Sequence, residues 1–225
     1  MPADLFATKG AEYLLVVAYF VLLIALARYL APRPRPAPAP RAEPAAPPWF
    51  ALADGYHFHP GHAWASADDG DLVTVGLDDF TAQLAGAPER IDLPRIGTQL
   101  RQGGPGWTLR LGDRELPMLS PVDGQVVVAN PAVAQEPRVA TEDPYGRGWL
   151  LKVRSPKRGP GAMRTLLTGD LASYWMQQTA ERLRWMAGAD VGVVMTDGGS
   201  PMRGFGRSFG PEEWSVAAHD FFLAD

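Results

Sequence analysis

No charged side chain interrupts residues 13–27, and the longer stretch 11–31 admits only Glu12 and Arg28, near its two ends. A helix needs roughly 20 mostly apolar residues to cross the hydrocarbon core of a bilayer. The stretch therefore predicts a single transmembrane helix over 11–31 after a short flank, 1–10, with Tyr13, Phe20, Leu23 and Arg28 as anchoring residues. A cleaved signal peptide would want a basic leader and a small-residue cleavage site. The leader instead holds Asp4 with a single Lys, and Arg28-Tyr29 stand where small residues belong. Arg28, Arg33, Arg35 and Arg41 all follow the apolar run, and the positive-inside rule keeps the side that carries them in the cytoplasm. The expectation is a single-pass protein of the inner (cytoplasmic) membrane, partnered with the lipid bilayer through its N-terminal helix and carrying its C-terminal domain in the cytoplasm.

Residues 32–48 alternate Pro with Ala and Arg. Such a segment favours polyproline II, buries no core, and acts as a spacer of some tens of ångströms at about 3.1 Å per residue. The chain of 225 residues has a net charge of −4 and no aromatic-interleaved basic stripe, so the electrostatic term that drives nucleic-acid binding is missing. With Cys at 0, disulfides, thiolate metal sites and cysteine nucleophiles are all excluded.

Residues 49–158 read as all-β. Alternating or Val-rich runs at 72–77, 107–111, 125–129 and 149–153 are punctuated by Gly and Pro, as in a sandwich or barrel. One interruption, 78–84, suits a single helical turn through Phe80 and Leu84. The extension 159–225 changes character. Leu167, Leu171, Tyr174, Trp175, Leu183 and Met186 fall at helical spacing and predict a long amphipathic helix over 163–186. A short strand at 191–195, a Gly-rich loop at Gly198-Gly199, and a terminal helix opened by Pro211 follow. Trp214, Ala217, Phe221 and Phe222 form that last helix's apolar face. The fold class is mainly β with an α+β C-terminal extension.

Four patches of the β region occur together. They are His62-Ala63-Trp64 with 73–81; Ile91-Asp92-Leu93-Pro94 with Ile96-Gly97-Thr98; Ser120-Pro121-Val122-Asp123-Gly124-Gln125-Val126, ending at Asn130; and Asp143-Pro144-Tyr145-Gly146 with 148–153. In this order and spacing they resemble the glycine cleavage system H protein family over about 55–156. The resemblance implies a lipoyl-domain-like flattened β-sandwich in which a hairpin tip presents a lysine bearing lipoic acid. In the family that lysine lies eight residues before the proline represented by Pro121, which falls on Asp113. The flanking Gly112 and Arg114 supply no amine, and the family's acidic residue three positions earlier corresponds to Arg110. Gly112-Asp113 is itself a good hairpin turn pair, so the hairpin is expected to survive without its cargo. The lysines are Lys9, Lys152 and Lys157; none is expected at a hairpin tip.

His57, His59 and His62 form an H-x-H-x-x-H pattern that alternate strand residues and a turn can bring to one metal. Pro60-Gly61 redirects the chain, however, and the structural reading is preferred. The adjacent carboxylates Asp78-Asp79 and Glu212-Glu213 read as turn or helix starts and not as an acid/base pair. No catalytic residue, cofactor or metal is assigned. The expected role is a non-catalytic, non-lipoylated accessory or scaffold subunit whose partners are subunits of an integral membrane protein complex, a respiratory or photosynthetic electron-transfer complex being the host considered. Arg110, Asp113, Arg114, Trp175 and Trp185 are its candidate interface residues. The alternative is an acyl or lipoyl carrier modified at a non-standard lysine, with Lys157 foremost.

Overall fold

The computed structural model describes residues 4–30, 49–157, 159–187, 195–196 and 200–223. It divides into two compact units, Met1–Ala46 and Pro47–Asp225. The spacer segment therefore lies outside the described residues.

The described residues of the first unit form one helix, α1 (Asp4–Leu30). Its stretch Glu12–Leu30 has a mean hydropathy of 2.2 and none of it is buried, so it is long and apolar enough to cross a membrane. Tyr13, Phe20 and Leu23 are exposed along it, and Arg28 stands in the last turn.

In the second unit, β1 (His57–His59), β2 (Ala63–Ala67) and β3 (Leu72–Leu77) form an antiparallel meander. Then come α2 (Asp79–Ala85), β4 (Arg90–Asp92), β5 (Gln99–Leu100), β6 (Pro105–Leu111), β7 (Arg114–Leu119) and β8 (Gly124–Ala129). Two short helices, α3 (Pro131–Gln135) and α4 (Val139–Glu142), lead to β9 (Leu151–Arg154). The strands make a six-stranded sheet, β1-β2-β3-β9-β8-β5, and a three-stranded sheet, β4-β6-β7. Alternation sets the faces: Val73, Val75 and Val153 from the first sheet and Leu109, Leu116 and Met118 from the second are buried in one core cluster, as in a sandwich.

Asp78 caps α2, its carboxylate accepting from the Thr81 backbone N–H at 2.9 Å. An N-cap carboxylate satisfies one of the orphan donors at a helix start and complements its dipole. The expected single turn is thus two turns long, burying Phe80 and Leu84.

The long helix differs from expectation at its start. α5 spans Gly169–Ala187, not 163–186. Before it, a 3-10 turn occupies Gly159–Met163, and Leu167 exchanges two 2.8 Å backbone bonds with Phe58. A residue paired to a strand edge cannot also join a helix ladder, so the helix begins only at Gly169, whose φ is +53. Its buried face is also rotated: Ala172, Met176, Ala180 and Leu183 are inside, whereas Leu171 and Tyr174 are exposed.

Beyond α5, residues 191–194 of the expected strand and the loop at Gly198-Gly199 lie outside the described residues. What is described is a hairpin, β10 (Met195–Thr196) with β11 (Ser200–Pro201). A 3-10 turn, Phe205–Ser208, leads to α6 (Pro211–Phe222), which opens on Pro211 as expected. Glu213 reaches back to accept the Gly210 N–H at 2.8 Å, the reciprocal half of a capping arrangement. Phe205, Phe209, Ala217, Phe221 and Phe222 belong to the same core cluster as the sandwich, so the C-terminal segment packs on the β region.

Candidate functional site

β6 and β7 form a hairpin whose register closes on Leu111 opposite Arg114, leaving Gly112-Asp113 as a two-residue loop. Gly112 has φ +70 and Asp113 is not among the positive-φ residues, which makes this a type II′ turn, the geometry that matches strand twist and requires Gly first. Gly112 and Asp113 are both exposed, and Asp113 is the side chain presented at the tip. A lipoyl group does not fit there: it needs a primary amine for its amide bond, and the tip offers a carboxylate.

The residues beside the tip are committed elsewhere. Arg110 pairs with Asp92 at 2.7 Å and with its cross-strand partner Glu115, while Arg90, directly opposite Arg110 on β4, also pairs with Asp92. The hydrogen bond from Arg110 is the first cause holding the Asp92 carboxyl below the usual carboxylate range. The carboxylate thus separates two facing arginines that would otherwise repel.

Arg114 turns away from solvent and clasps the C-terminal segment. Its Nη1 donates to the Gly206 carbonyl at 2.8 Å and its Nη2 to the Phe209 carbonyl at 2.5 Å. Its guanidinium lies 5.2 Å from the Trp214 ring centroid. Two more arginines tie the same segment down: Arg207 donates to Ala87 O and Arg203 to Thr141 O. Gly86 and Gly204 let the backbones meet, since a Cβ on Gly86 would stand 2.8 Å from the Gly204 Cα. A cleft of about 320 Å³ remains between tip and clasp, with Glu89, Asp113, Arg114 and Trp214 among its walls. Of the expected interface residues here, Asp113 is free at the surface, whereas Arg110 and Arg114 are used within the molecule. The Arg114 clasp was invisible locally because its partners lie 92 and 95 residues away.

The three histidines do not share a partner, and the buried Nδ1 of His57 has no hydrogen-bond partner among the described residues. His59 Nδ1 accepts the Gly61 N–H at 3.0 Å, and His62 Nδ1 meets Asp78 Oδ2 at 2.6 Å. Burial lowers the pKa of His57 and, with help from His62, of His59. Among the described residues no three His, Cys, Asp or Glu side chains are grouped to hold a metal ion. His62 occupies the left-handed region at φ +61, the last position of the three-residue β1–β2 loop, where Gly or Asn is easier. Its ring lies between Phe80 at 4.1 Å and Trp175 at 4.6 Å. The Asp78 carboxylate, wholly buried, also accepts from the Thr81 N–H and hydroxyl. Asp78 therefore caps α2 and fixes His62, which in turn supports α5. This pair was missed in the sequence; a His at the end of a short loop together with an Asp before a helix was its signal.

Trp175 packs on His62 and is partly buried, whereas Trp185 is 83% exposed on the outer face of α5. Lys152 is bonded to Asp68 and lies 5.7 Å from the Trp149 ring centroid. Lys157 is exposed.

Comparison with known proteins matches residues 56–178 to the family described as Glycine cleavage H-protein. A glycine cleavage system H protein of Magnetococcus marinus is 31% identical over 121 residues, covering 54% of this chain and 84% of that protein. One from Rubrobacter xylanophilus is 37% identical over 93 residues, 41% of this chain and 73% of its own length. A probable glycine cleavage system H protein 2 from Sulfurisphaera tokodaii is 32% identical over 109 residues, 48% and 72% of the two chains. A solved glycine cleavage system H protein from Mycobacterium marinum covers 57% of this chain and 99% of its own, with 25% identity and a TM-score of 0.49. With more than half of its residues matched by the family and its β-sandwich built on those residues, the chain belongs to the glycine cleavage H-protein family.

Proposed function

We propose that this chain is a non-catalytic, non-lipoylated accessory or scaffold subunit, anchored by α1 in the cytoplasmic membrane with its C-terminal domain in the cytoplasm, that uses an H-protein-like sandwich to dock on other subunits of a membrane complex. The observation that carries the reading is the hairpin: its tip bears Asp113 and its flank is held through Arg114 by the chain's own C-terminal segment. A carrier needs an amine at a tip free to swing; this tip has neither the amine nor an unencumbered base. The apolar α1, followed by arginines, supports the anchor and its orientation.

The test is capture from native membranes in mild detergent through a C-terminal tag, with the intact mass read on the same sample. Membrane subunits at stoichiometric yield and an unmodified mass are expected. An acyl adduct, with Lys157 the exposed lysine of the domain, would establish the carrier alternative. Recovery alone, or with soluble enzymes of glycine metabolism, would sink the scaffold.

A further inference from the structure

A cleft of about 430 Å³ opens between α5 and α6, and the buried His62 is part of its lining. Phe80 and Trp175 cover the two faces of this ring, at 4.1 and 4.6 Å between centroids. Its Nδ1 is held by Asp78 at 2.6 Å. What the ring can show to the cleft is therefore its remaining edge, which carries Nε2. The Asp78 carboxylate is an acceptor, so Nδ1 carries the ring proton and Nε2 keeps a lone pair. No hydrogen bond among the described residues uses that lone pair. A convergent polar atom held rigidly in a cleft by stacking on both sides is placed to orient a ligand.

The other groups of the cleft say which ligand. Its donors already donate within the molecule: Thr179 to the Trp175 carbonyl at 3.2 Å, Gln178 to Glu181 at 3.3 Å, and Arg182 to Asp220 at 3.2 Å. What is left over accepts. Besides Nε2 the cleft holds two carboxylates, Glu181 and Asp220, against the single guanidinium of Arg182, and among the described residues no cation pairs with Glu181. Trp175, Trp185 and Phe221 supply aromatic walls, and aromatic faces attract cations. An anion would meet a surplus carboxylate and no uncommitted donor group. We infer that the cleft between α5 and α6 binds an organic cation, an ammonium or guanidinium group that donates to His62 Nε2 while Glu181 supplies the opposite charge and an indole covers its face. The cation is either free or the lysine or arginine side chain of another protein.

The test is a titration of the full chain in mild detergent with butylguanidinium, and with butylurea as its uncharged counterpart. The purified chain is used, so the outcome does not depend on the membrane partners proposed above. Saturable binding of the cation and none of the urea is expected. Glu181→Gln and Trp185→Ala are each expected to weaken it about threefold or more, with the thermal melt unchanged because both side chains are exposed. In spectra of nitrogen-labelled histidine, one of the four rings should shift on binding, and the shift should survive His57→Gln, His59→Gln and His219→Gln, which leaves His62. A blocked Gly-Arg-Gly peptide separates the two sources: binding tighter than that of butylguanidinium assigns the site to a protein side chain, weaker binding to a free cation. No saturable binding, equal binding of the urea, indifference to both substitutions, or a shift at another histidine would each overturn the assignment.

Discussion

The base of the β6–β7 hairpin and the outer face of α5 are two surfaces of this domain that the chain treats in opposite ways. At the hairpin it brings its own C-terminal segment across and fastens it with Arg114 to two carbonyls and an indole. On α5 it leaves Leu171, Tyr174 and Trp185 bare. The first surface is satisfied from within and the second is not. Between the two sits His62, stacked on Trp175 of α5 and Phe80 beneath α6.

The largest effect expected is at Phe222, which has no exposed surface and packs 5.9 Å from the Phe80 ring. Phe222→Ala should cost about 3–5 kcal/mol in a denaturant titration, whereas Trp185→Ala on the bare face should change intramolecular stability by less than about 0.5 kcal/mol. Equal costs would abolish the distinction between the two surfaces. Asp78→Ala removes the α2 cap and leaves the His62 ring N–H without its acceptor, an expected loss of about 2–4 kcal/mol in the same titration. Since His62 touches both regions, it should loosen both together, visible as faster amide exchange in α5 and α6 alike.

Arg114→Ala breaks two charge-assisted bonds and should cost about 2–3 kcal/mol. Limited proteolysis is the sharper measurement: residues 200–210 should become cleavable while β1–β3 stay protected. Arg114→Lys should rescue this only in part, because an ammonium cannot hold two divergent carbonyls in the fork geometry of a guanidinium.

A smaller effect follows from His57 and His59, whose folded pKa values burial holds below the ordinary 6.5. Above 6.5 both folded and unfolded chains keep these rings neutral. As pH falls below it, the unfolded chain takes up protons that the folded chain resists, so stability drops. The melting temperature should therefore decline from pH 6.5 downward, and His59→Asn, which keeps an acceptor for the Gly61 N–H, should flatten that decline. Asp79, raised by burial, works in the opposite direction at lower pH. Smallest of all is Asp113→Lys, expected within about 0.5 kcal/mol of wild type in the same titration because the tip is exposed; a large loss would mean that the clasp reads the tip charge.

Much of the sandwich was legible because strands announce themselves locally. The run 72–77 coincides with β3, and the Gly112-Asp113 pair marked its turn correctly, since period-two burial and positive-φ glycines are properties of neighbouring residues. The start of α5 was not legible, because Leu167 has good helical spacing and only its pairing with Phe58 removes it from the helix. Leu171 and Tyr174 have the helical spacing that predicts an amphipathic helix and are nonetheless exposed: helical periodicity fixes which residues share a stripe but not which of two stripes meets a core. Arg114 read as a surface charge until Gly206 and Phe209 were brought beside it. His62 read as a weak metal candidate until Asp78 took its Nδ1.

What the sequence by itself determined is therefore what backbone chemistry and short-range pattern can dictate: the apolar length of α1, the strands and their turns, the Pro-opened last helix, and a hairpin tip with a carboxylate where an acylable amine would have to be. What only the tertiary structure decided is which side chains are spent inside the molecule and which are left over. Arg114, Asp78 and Phe222 are consumed by contacts between segments far apart in the chain, and Trp185 is not. Such contacts depend on closing long loops, and their free energy is settled by which segments the whole fold holds side by side.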